Sequence, residues 1–359
     1  GIPHLFVVGD KLYHLWRSGD NSFGQSPVAT GGADVVATTV AADVSRLENR
    51  LHVLYGVGNN TAPCQAGTSA FHHEFANLAA SPLSWTASNA LGTSLTRPFF
   101  ATKSTDLTIA GDTIYGAFNG SYQYIVSGVP PVCHTPTILT RMHIKPDGSG
   151  NGYTYNISNY YSQITYARTR VTVGPTLAAH SAIFDSNNFV TERITAATNA
   201  NFGSSSALAG SQSSAVTPGI ALDSKDSLHY AFVDDTTRKL YWAVWPKNAA
   251  TPPAIPPVMP PLVSNIPSGC TGHIARAPLD IVVDDTDRPH IVYVCTTGTN
   301  AGTWIARRDT SPTPTWVHTK IGAAMASHVR MRFHRGRLHI IESFPTSTTN
   351  AAYRCVPVP

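Results

Sequence analysis

Short apolar runs alternate with polar turns along the whole chain, and the pattern repeats. Residues 221–232 (Ala-Leu-Asp-Ser-Lys-Asp-Ser-Leu-His-Tyr-Ala-Phe) align with residues 282–293 (Val-Val-Asp-Asp-Thr-Asp-Arg-Pro-His-Ile-Val-Tyr). Residues 46–55 and 332–342 contain the same unit with a tighter turn. Because each copy consists of an apolar strand, a polar turn and a second apolar strand, the pattern predicts a β-hairpin.

The number and spacing of the hairpins predict the architecture. Weaker copies occupy residues 4–16, 106–118 and 180–192. The seven predicted first strands begin near His4, Asp43, Asp106, His180, Gly219, Asp280 and Val329. A third strand follows most hairpins, and a fourth is visible at 85–92 and 316–322. Four antiparallel strands in each repeat of about 50 residues are typical of propeller blades. We therefore predict an all-β fold, a seven-bladed β-propeller of four-stranded antiparallel blades, as a single domain over residues 1–359.

Composition narrows the function classes. Hydrophobic residues make up 42% of the 359 residues and charged residues only 13%, with Thr, Ser and Asn abundant. No apolar run approaches the ~18 residues of a membrane helix, so we expect no membrane insertion. The net charge of +4 is spread out, which argues against a nucleic-acid partner. Low Lys and Glu favour a secreted or periplasmic protein, and we expect any signal peptide to have been removed.

The first residues of the predicted inner strands are the best candidates for chemistry. The inner strand of a blade borders the central channel, so these side chains would converge on one axis. We predict a divalent metal ion, calcium or zinc, held by His4, Asp43, Asp106 and Asp280. His180, His328 and Arg276 are the predicted catalytic residues. The alternatives are a hydrated channel lining without chemistry, or an alignment that is out of register.

Other polar residues have a structural interpretation. A histidine recurs at one position of the second strand, as His52, His229, His290 and His339, which indicates a packing role. Glu342 stands at an apolar core position, which requires either exposure to water or a salt bridge to an arginine. Residues 72–74 (His-His-Glu) look like a metal motif, but they lie in a predicted third strand. There His72 and Glu74 would share a face, and the structural interpretation is favoured.

Five cysteines leave at least one thiol without an intramolecular partner. Cys64 and Cys133 follow the second strands of adjacent repeats, and we expect them to approach each other. Cys295, in an apolar strand, is expected to be buried.

At the level of the repeat, residues 222–232 and 283–293 resemble the secreted bacterial seven-bladed β-propellers with a degenerate Asp-turn-Leu-His-aromatic blade. The resemblance implies a fold and not a function. The Ser-x-Asp-x-Gly-x-x-Trp box of sialidases and the Trp-Asp dipeptide of WD40 repeats do not occur in the sequence.

The functional hypothesis follows from the predicted ring. We expect a secreted, metal-assisted hydrolase of the ester or phosphoester class, with its site at the mouth of the channel and a small-molecule or glycan ligand. A carbohydrate-binding lectin with pockets between blades is the first alternative, and a polysaccharide lyase is the second. The rim residues differ between repeats, which favours a single site and hence an enzyme. The oligomeric state stays open.

Overall fold

The fold is described from a computed structural model. The structure describes residues 4–8, 10–17, 22–30, 33–34, 37, 39–57, 70–88, 99–122, 124–126, 132–134, 137–147, 153–161, 169–173, 179–184, 189–194, 205–208, 219–234, 239–247, 263, 266–267, 270, 278–296, 298–309, 315–344 and 351–358. Nothing in these ranges is a helix long and apolar enough to cross a membrane.

The chain divides into two compact units. The first comprises Gly1–Val171 with Thr198–Asn201, and the second Thr172–Ala197 with Phe202–Pro359. The strands of the first unit are β1 (His4–Val8), β2 (Leu12–Arg17), β3 (Phe23–Pro27), β4 (Ala29–Thr30), β5 (Ala33–Asp34), β6 (Thr39–Ser45), β7 (Arg50–Val57), β8 (Ala70–Asn77), β9 (Trp85–Ala87), β10 (Phe99–Ala110), β11 (Thr113–Tyr122), β12 (Tyr124–Val126), β13 (Val132–His134), β14 (Thr137–Pro146) and β15 (Tyr153–Tyr161).

The boundary between the units falls within β16 (Thr169–Val173). The strands of the second unit are β17 (Ala179–Phe184), β18 (Phe189–Ile194), β19 (Ser205–Leu208), β20 (Gly219–Leu222), β21 (Leu228–Asp234), β22 (Lys239–Trp245), β23 (Leu279–Val283), β24 (Pro289–Cys295), β25 (Gly302–Arg308), β26 (Trp316–Gly322), β27 (His328–His334), β28 (Arg337–Ser343) and β29 (Ala351–Pro357).

These strands form antiparallel sheets whose order follows the chain. Within the described ranges the larger sheets are β1-β2-β3, β6-β7-β8-β9, β10-β11-β14-β15, β16-β17-β18-β19, β20-β21-β22, β23-β24-β25-β26 and β27-β28-β29, and β4-β5 and β12-β13 are two-stranded ribbons. The all-β prediction is confirmed. The ring of seven closed blades and the single domain stay predictions.

The fourth sheet corrects one boundary. Its order begins with β16, so His180 lies in the second strand, β17, and not in a first strand as predicted. The strand at residues 169–173 (Thr-Arg-Val-Thr-Val) was missed because the repeat is faint in this part of the sequence and only two of the five residues are apolar.

The repeated Asp-turn-His unit is a hairpin closed by its own side chains. In the turn before β21, Asp223 Oδ1 accepts the backbone N–H groups of Lys225 and Ser227, at 2.9 and 2.7 Å. Asp223 Oδ2 lies 3.3 Å from His229 Nε2. Asp226 has a positive φ of 58°, a conformation that Asp tolerates because its side chain bonds locally.

The turn before β24 repeats this arrangement. Asp284 Oδ1 accepts the N–H groups of Thr286 and Arg288, and Oδ2 lies 2.9 Å from His290 Nε2. Burial raises the pKa of Asp284, but hydrogen bonds from His290, Thr286 and Arg288 outweigh burial and hold this pKa below its usual range. The structural interpretation of the repeated histidine therefore fits both hairpins.

Aspartates of the first strands connect neighbouring sheets in the first unit. Asp43, in β6, accepts the N–H of Val44 through Oδ1 and the N–H of Ile109, in β10, through Oδ2 at 3.0 Å. Asp106, in β10, accepts the N–H of Val171 through Oδ2 at 2.9 Å. Each carboxylate thus bonds to the backbone of the following first strand.

The second unit contains the same connection. Asp280, in β23, accepts the N–H of Ile281 through Oδ1 and that of Met331, in β27, through Oδ2 at 2.9 Å. Hydrogen bonds to a buried charged acceptor contribute about 1.5–3 kcal/mol each. We call the three aspartates Asp43, Asp106 and Asp280 the linking aspartates.

A glycine replaces the linking aspartate in β20. Gly219 lies opposite Ala231, two residues beyond His229, which is the position that Asp280 has relative to His290. A Cβ atom at Gly219 would lie 3.0 Å from the backbone nitrogen of Ile281. A side chain here would force the neighbouring strand to shift, so the close approach of the two strands favours glycine.

The cysteines pair differently from the expectation. Cys270 and Cys295 are both buried and form a disulfide in the second unit. Burial of Cys295 is confirmed, but its partner was not predicted. Cys64 lies outside the described residues, so its approach to Cys133 stays a prediction.

Replacing Asp280 by Ala should destabilise the protein by about 2–3 kcal/mol, because two buried N–H groups lose their acceptor. The measurement is urea unfolding of D280A followed by circular dichroism. D285A is the matched control, since Asp285 is an exposed residue in the neighbouring turn. Equal midpoints for the two variants would show that the linking aspartate adds nothing to stability.

Candidate functional site

The polar side chains of β8 lie on two faces of the sheet β6-β7-β8-β9. The alternation of a strand places His72 and Glu74 on one face and His73 on the other. Tyr55 of β7 contacts both members of the first pair: its ring stacks on His72, and its hydroxyl donates to Glu74. The predicted common face of His72 and Glu74 is confirmed by these contacts.

On the first face, a tyrosine and a glutamate form a short buried contact. The Tyr55 hydroxyl donates to Glu74 Oε1 at 2.5 Å. The side chains are buried, with Tyr55 3% exposed and Glu74 1% exposed. Tyr55 belongs to the buried cluster that also contains Val28 and Ala37. A carboxylate hydrogen-bonded to a phenol in a dry environment can accept the phenol proton and make the oxygen nucleophilic.

On the second face, four side chains form a continuous polar chain. Ser88 Oγ lies 2.6 Å from His73 Nδ1. His73 Nε2 lies 3.1 Å from His52 Nδ1, and the two imidazoles are stacked. His52 Nε2 lies 3.3 Å from Glu48 Oε2. We call this chain, from Ser88 to Glu48, the relay.

The carboxylate at the end of the relay is fixed by two further residues. Tyr153 donates to Glu48 and accepts from Arg50 Nη1 at 2.9 Å. Burial raises the pKa of Tyr153 to about 12, so its hydroxyl keeps the proton that it donates. The Tyr153 ring meets the His52 and His73 rings edge to face.

Sequence analysis assigned no functional role to Tyr55, Glu48 and Ser88. Glu48 stands in a hairpin turn and contacts the repeated histidine, as Asp223 does for His229. Comparison of the turns could therefore have identified it. Ser88 follows a short strand and offers no comparable signal.

The residues of the predicted ring do not share one position. Their partners in the second strand are Trp16 for His4, His52 for Asp43, Ala117 for Asp106, Val292 for Asp280 and Ser343 for His328. Only Asp106 and Asp280 occupy equivalent positions. Each pairs with the residue that stands two places after the repeated histidine position of the second strand. Asp43 lies opposite the repeated histidine position itself. It accepts a backbone N–H of the next first strand as Asp106 and Asp280 do, but from a position two residues away along its strand.

The other predicted site residues that the structure describes each have different neighbours. His4 Nδ1 is 2.9 Å from His14 Nε2, and the two rings stack. His328 is exposed, with Nδ1 3.2 Å from Ser327 Oγ. His180 lies opposite Arg193 in β18. Arg276 lies outside the described residues.

The metal assignment is not supported by a ligand set in the described ranges. No group of three or more His, Cys, Asp or Glu side chains in that part of the chain is arranged to hold a metal ion. The carboxylates of Asp43 and Asp280 are occupied by backbone N–H groups. A divalent ion therefore stays a prediction.

Glu342 forms a salt bridge to an arginine, which was one of the two expectations for this residue. Its carboxylate is fully buried, and Arg354 Nε donates to Oε2. The carboxylate at this apolar position is thus accommodated by a salt bridge.

Comparison with known proteins identifies a fold. No family model matches the chain, and no curated protein matches it. Among solved structures, a mutant of the NanB sialidase from Streptococcus pneumoniae is similar, with a TM-score of 0.51 and 6% identity, over 89% of this chain and 68% of that chain. A structure of NanB plus Optactamide has a TM-score of 0.52 and 6% identity, over 89% of this chain and 67% of that chain. At this identity the likeness shows the fold alone, which is β-propeller-like.

The buried histidines should make stability depend on pH. Burial lowers the pKa of His14 to about 4 and that of His52 to about 3, so both are neutral in the folded protein at pH 6. The unfolded chain binds protons below its pKa of 6.5, so stability should fall as pH decreases from 6.5 toward 4. Each such histidine contributes about 1.4 kcal/mol per pH unit.

The measurement is the free energy of urea unfolding at pH 6 and at pH 5 for the wild type and for His52→Gln, whose amide oxygen can still accept a hydrogen bond from His73. Between pH 6 and pH 5, the unfolding free energy of the variant should decrease by about 1.4 kcal/mol per pH unit less than that of the wild type. An unchanged slope in the variant would contradict the assignment of His52 as a neutral buried group.

Proposed function

We propose that this chain is a glycan-active propeller enzyme, a glycosidase in which Tyr55 and Glu74 perform the chemistry. The observation that carries the proposal is the 2.5 Å contact between the Tyr55 hydroxyl and the Glu74 carboxylate. The β-propeller-like fold supports it, since the similar structures include a sialidase. The sequence-based hypothesis of a hydrolase is kept, while the ester or phosphoester class and the metal have no support from these observations.

The chemistry follows from the pair. Glu74 accepts the phenolic proton as Tyr55 Oη bonds to the anomeric carbon, and the glycosidic carbon–oxygen bond breaks. The leaving group takes a proton from a water molecule, and the hydroxide that remains attacks the anomeric carbon. The glycosyl–tyrosine bond then breaks, and the Tyr55 oxygen takes its proton back from Glu74. Sialidases are one class of glycosidase in which a tyrosine is the nucleophile.

Burial of the pair sets a requirement for access. Because Tyr55 is 3% exposed and packs in a buried cluster with Leu12, Val28 and Ala37, substrate can reach it only when this cluster opens.

The test is hydrolysis of a panel of aryl glycosides, including an aryl sialoside, by the wild type and by Tyr55→Phe and Glu74→Gln. We expect both variants to lose at least about 100-fold in kcat/KM with the fold retained. Tyr293→Phe is the matched control, because Tyr293 is also buried but donates to or accepts from His318 at 2.8 Å.

Three outcomes separate the alternatives. Loss of activity in the two site variants alone supports the proposal. Equal activity of Tyr55→Phe and the wild type would overturn the assignment of Tyr55. Binding of glycans without turnover of any member of the panel would favour the lectin.

A further inference from the structure

The relay has the composition and order of a nucleophile with its base. A serine hydroxyl, two imidazoles and a carboxylate follow one another from Ser88 to Glu48, and each separation between consecutive groups is 3.3 Å or less. Tyr55 and Glu74 are on the opposite face of the sheet, so the relay is independent of the proposed glycosidase site. An adjacent base that is itself oriented by a third group is the arrangement that activates a serine.

Proton donation from Ser88 toward His52 gives one consistent order in the relay. If Ser88 donates to His73 Nδ1, then His73 Nε2–H donates to His52 Nδ1, and His52 Nε2–H lies 3.3 Å from Glu48 Oε2, an ion-pair distance without hydrogen-bond geometry. The Ser88 hydroxyl can alternatively donate to the backbone carbonyl of His73, at 2.9 Å. The serine proton therefore has two acceptors, and one of them is the nitrogen of a base.

Both imidazoles are in the state that a base requires. Burial lowers the pKa of His73 well below its usual value and that of His52 to about 3, so both rings are neutral at pH 7. Glu48 faces the far end, where Arg50 and Tyr153 hold it. A positive charge that develops on the imidazoles is thus opposed by a fixed carboxylate.

The serine lies at an edge of its sheet. Ser88 directly follows β9, the last strand in the order β6-β7-β8-β9, and is 6% exposed. An edge position gives a reagent a route that does not pass through the sheet. The low exposure limits that route to small groups.

We propose that Ser88 is an activated nucleophile that accepts small acyl groups, such as acetyl, from carboxylic esters. His73 is the base, and His52 and Glu48 are positioning residues. Ser88 Oγ bonds to the carbonyl carbon as its proton passes to His73 Nδ1. The ester carbon–oxygen bond breaks, and the departing alcohol takes that proton. Water then attacks the acyl-serine, giving one proton to His73, which returns it to Ser88 Oγ as the acid leaves.

The test is labelling of the full chain with a small fluorophosphonate, with the modified residue located by mass spectrometry. We expect Ser88 to be labelled and Ser84 not, since Ser84 is exposed but stands outside the relay. Glu48→Gln should lower the labelling rate by about 100-fold. Ser84→Ala should label like the wild type.

A second variant keeps the test decisive if the relay variants fail to fold. In Ser88→Cys, the neighbouring imidazole should increase the rate of alkylation by iodoacetamide at pH 7 by at least about 10-fold over Ser84→Cys. Absence of Ser88 labelling in the folded protein, a labelling rate unaffected by Glu48→Gln, or equal alkylation of the two cysteines would each overturn the proposal. None of these readouts depends on glycoside hydrolysis, so the glycosidase proposal is tested separately.

Discussion

In the part of the chain that the structure describes, three pairs of neighbouring sheets are joined where a carboxylate of one first strand accepts a backbone N–H of the next. Sheets that pack face to face cannot exchange the ladder hydrogen bonds that hold strands within a sheet. Apolar packing between them is non-directional, so it does not by itself fix how far one strand slides along another. The hydrogen bonds that Asp106 and Asp280 accept from backbone N–H groups are directional, so they fix the position of one strand along the other. Because a buried carboxylate without donors is costly, each aspartate also penalises any other register.

This constraint determines which positions remain for chemistry. The linking aspartates are occupied by backbone donors, so the polar residues of the first strands contribute mainly to architecture. The groups proposed for chemistry in the first unit centre instead on β7 and β8, where the tyrosine-glutamate pair and the two histidines of the relay lie on opposite faces of one sheet. A rigid strand places these side chains more accurately than a loop does, while Ser88 and Glu48 are held by their contacts with the two histidines.

The sequence predicted the hairpins well, since the unit around His229 and the unit around His290 repeat residue by residue. It could not predict the role of the linking aspartates. Their partners are main-chain N–H groups of strands 51 to 66 residues away, which have no side-chain signature. The same position is Gly219 in one sheet because two backbones approach closely there. Asp43 stands two residues away from the position that Asp106 and Asp280 occupy. This difference likewise depends on strand pairing, which only the structure shows.

The candidate sites were partly visible. His72, His73 and Glu74 were recognised as a polar cluster on a strand, and the prediction that His72 and Glu74 share a face was correct. Their partners Tyr55 and Ser88 come from other strands, and a single sequence without an alignment gives no information on such pairs. The disulfide of Cys270 with Cys295 was hidden for the same reason, because five cysteines permit many pairings.

The central claim, that carboxylates join the sheets through backbone amides, can be measured directly by native-state hydrogen exchange. The amides of Ile109, Val171 and Met331 should exchange slowly in the wild type. In Asp106→Ala, which removes the acceptor, the Val171 amide should exchange much faster, while the Met331 amide keeps its protection because its acceptor is Asp280. Rapid exchange of all three amides in the wild type, or unchanged protection of Val171 in the variant, would contradict the account.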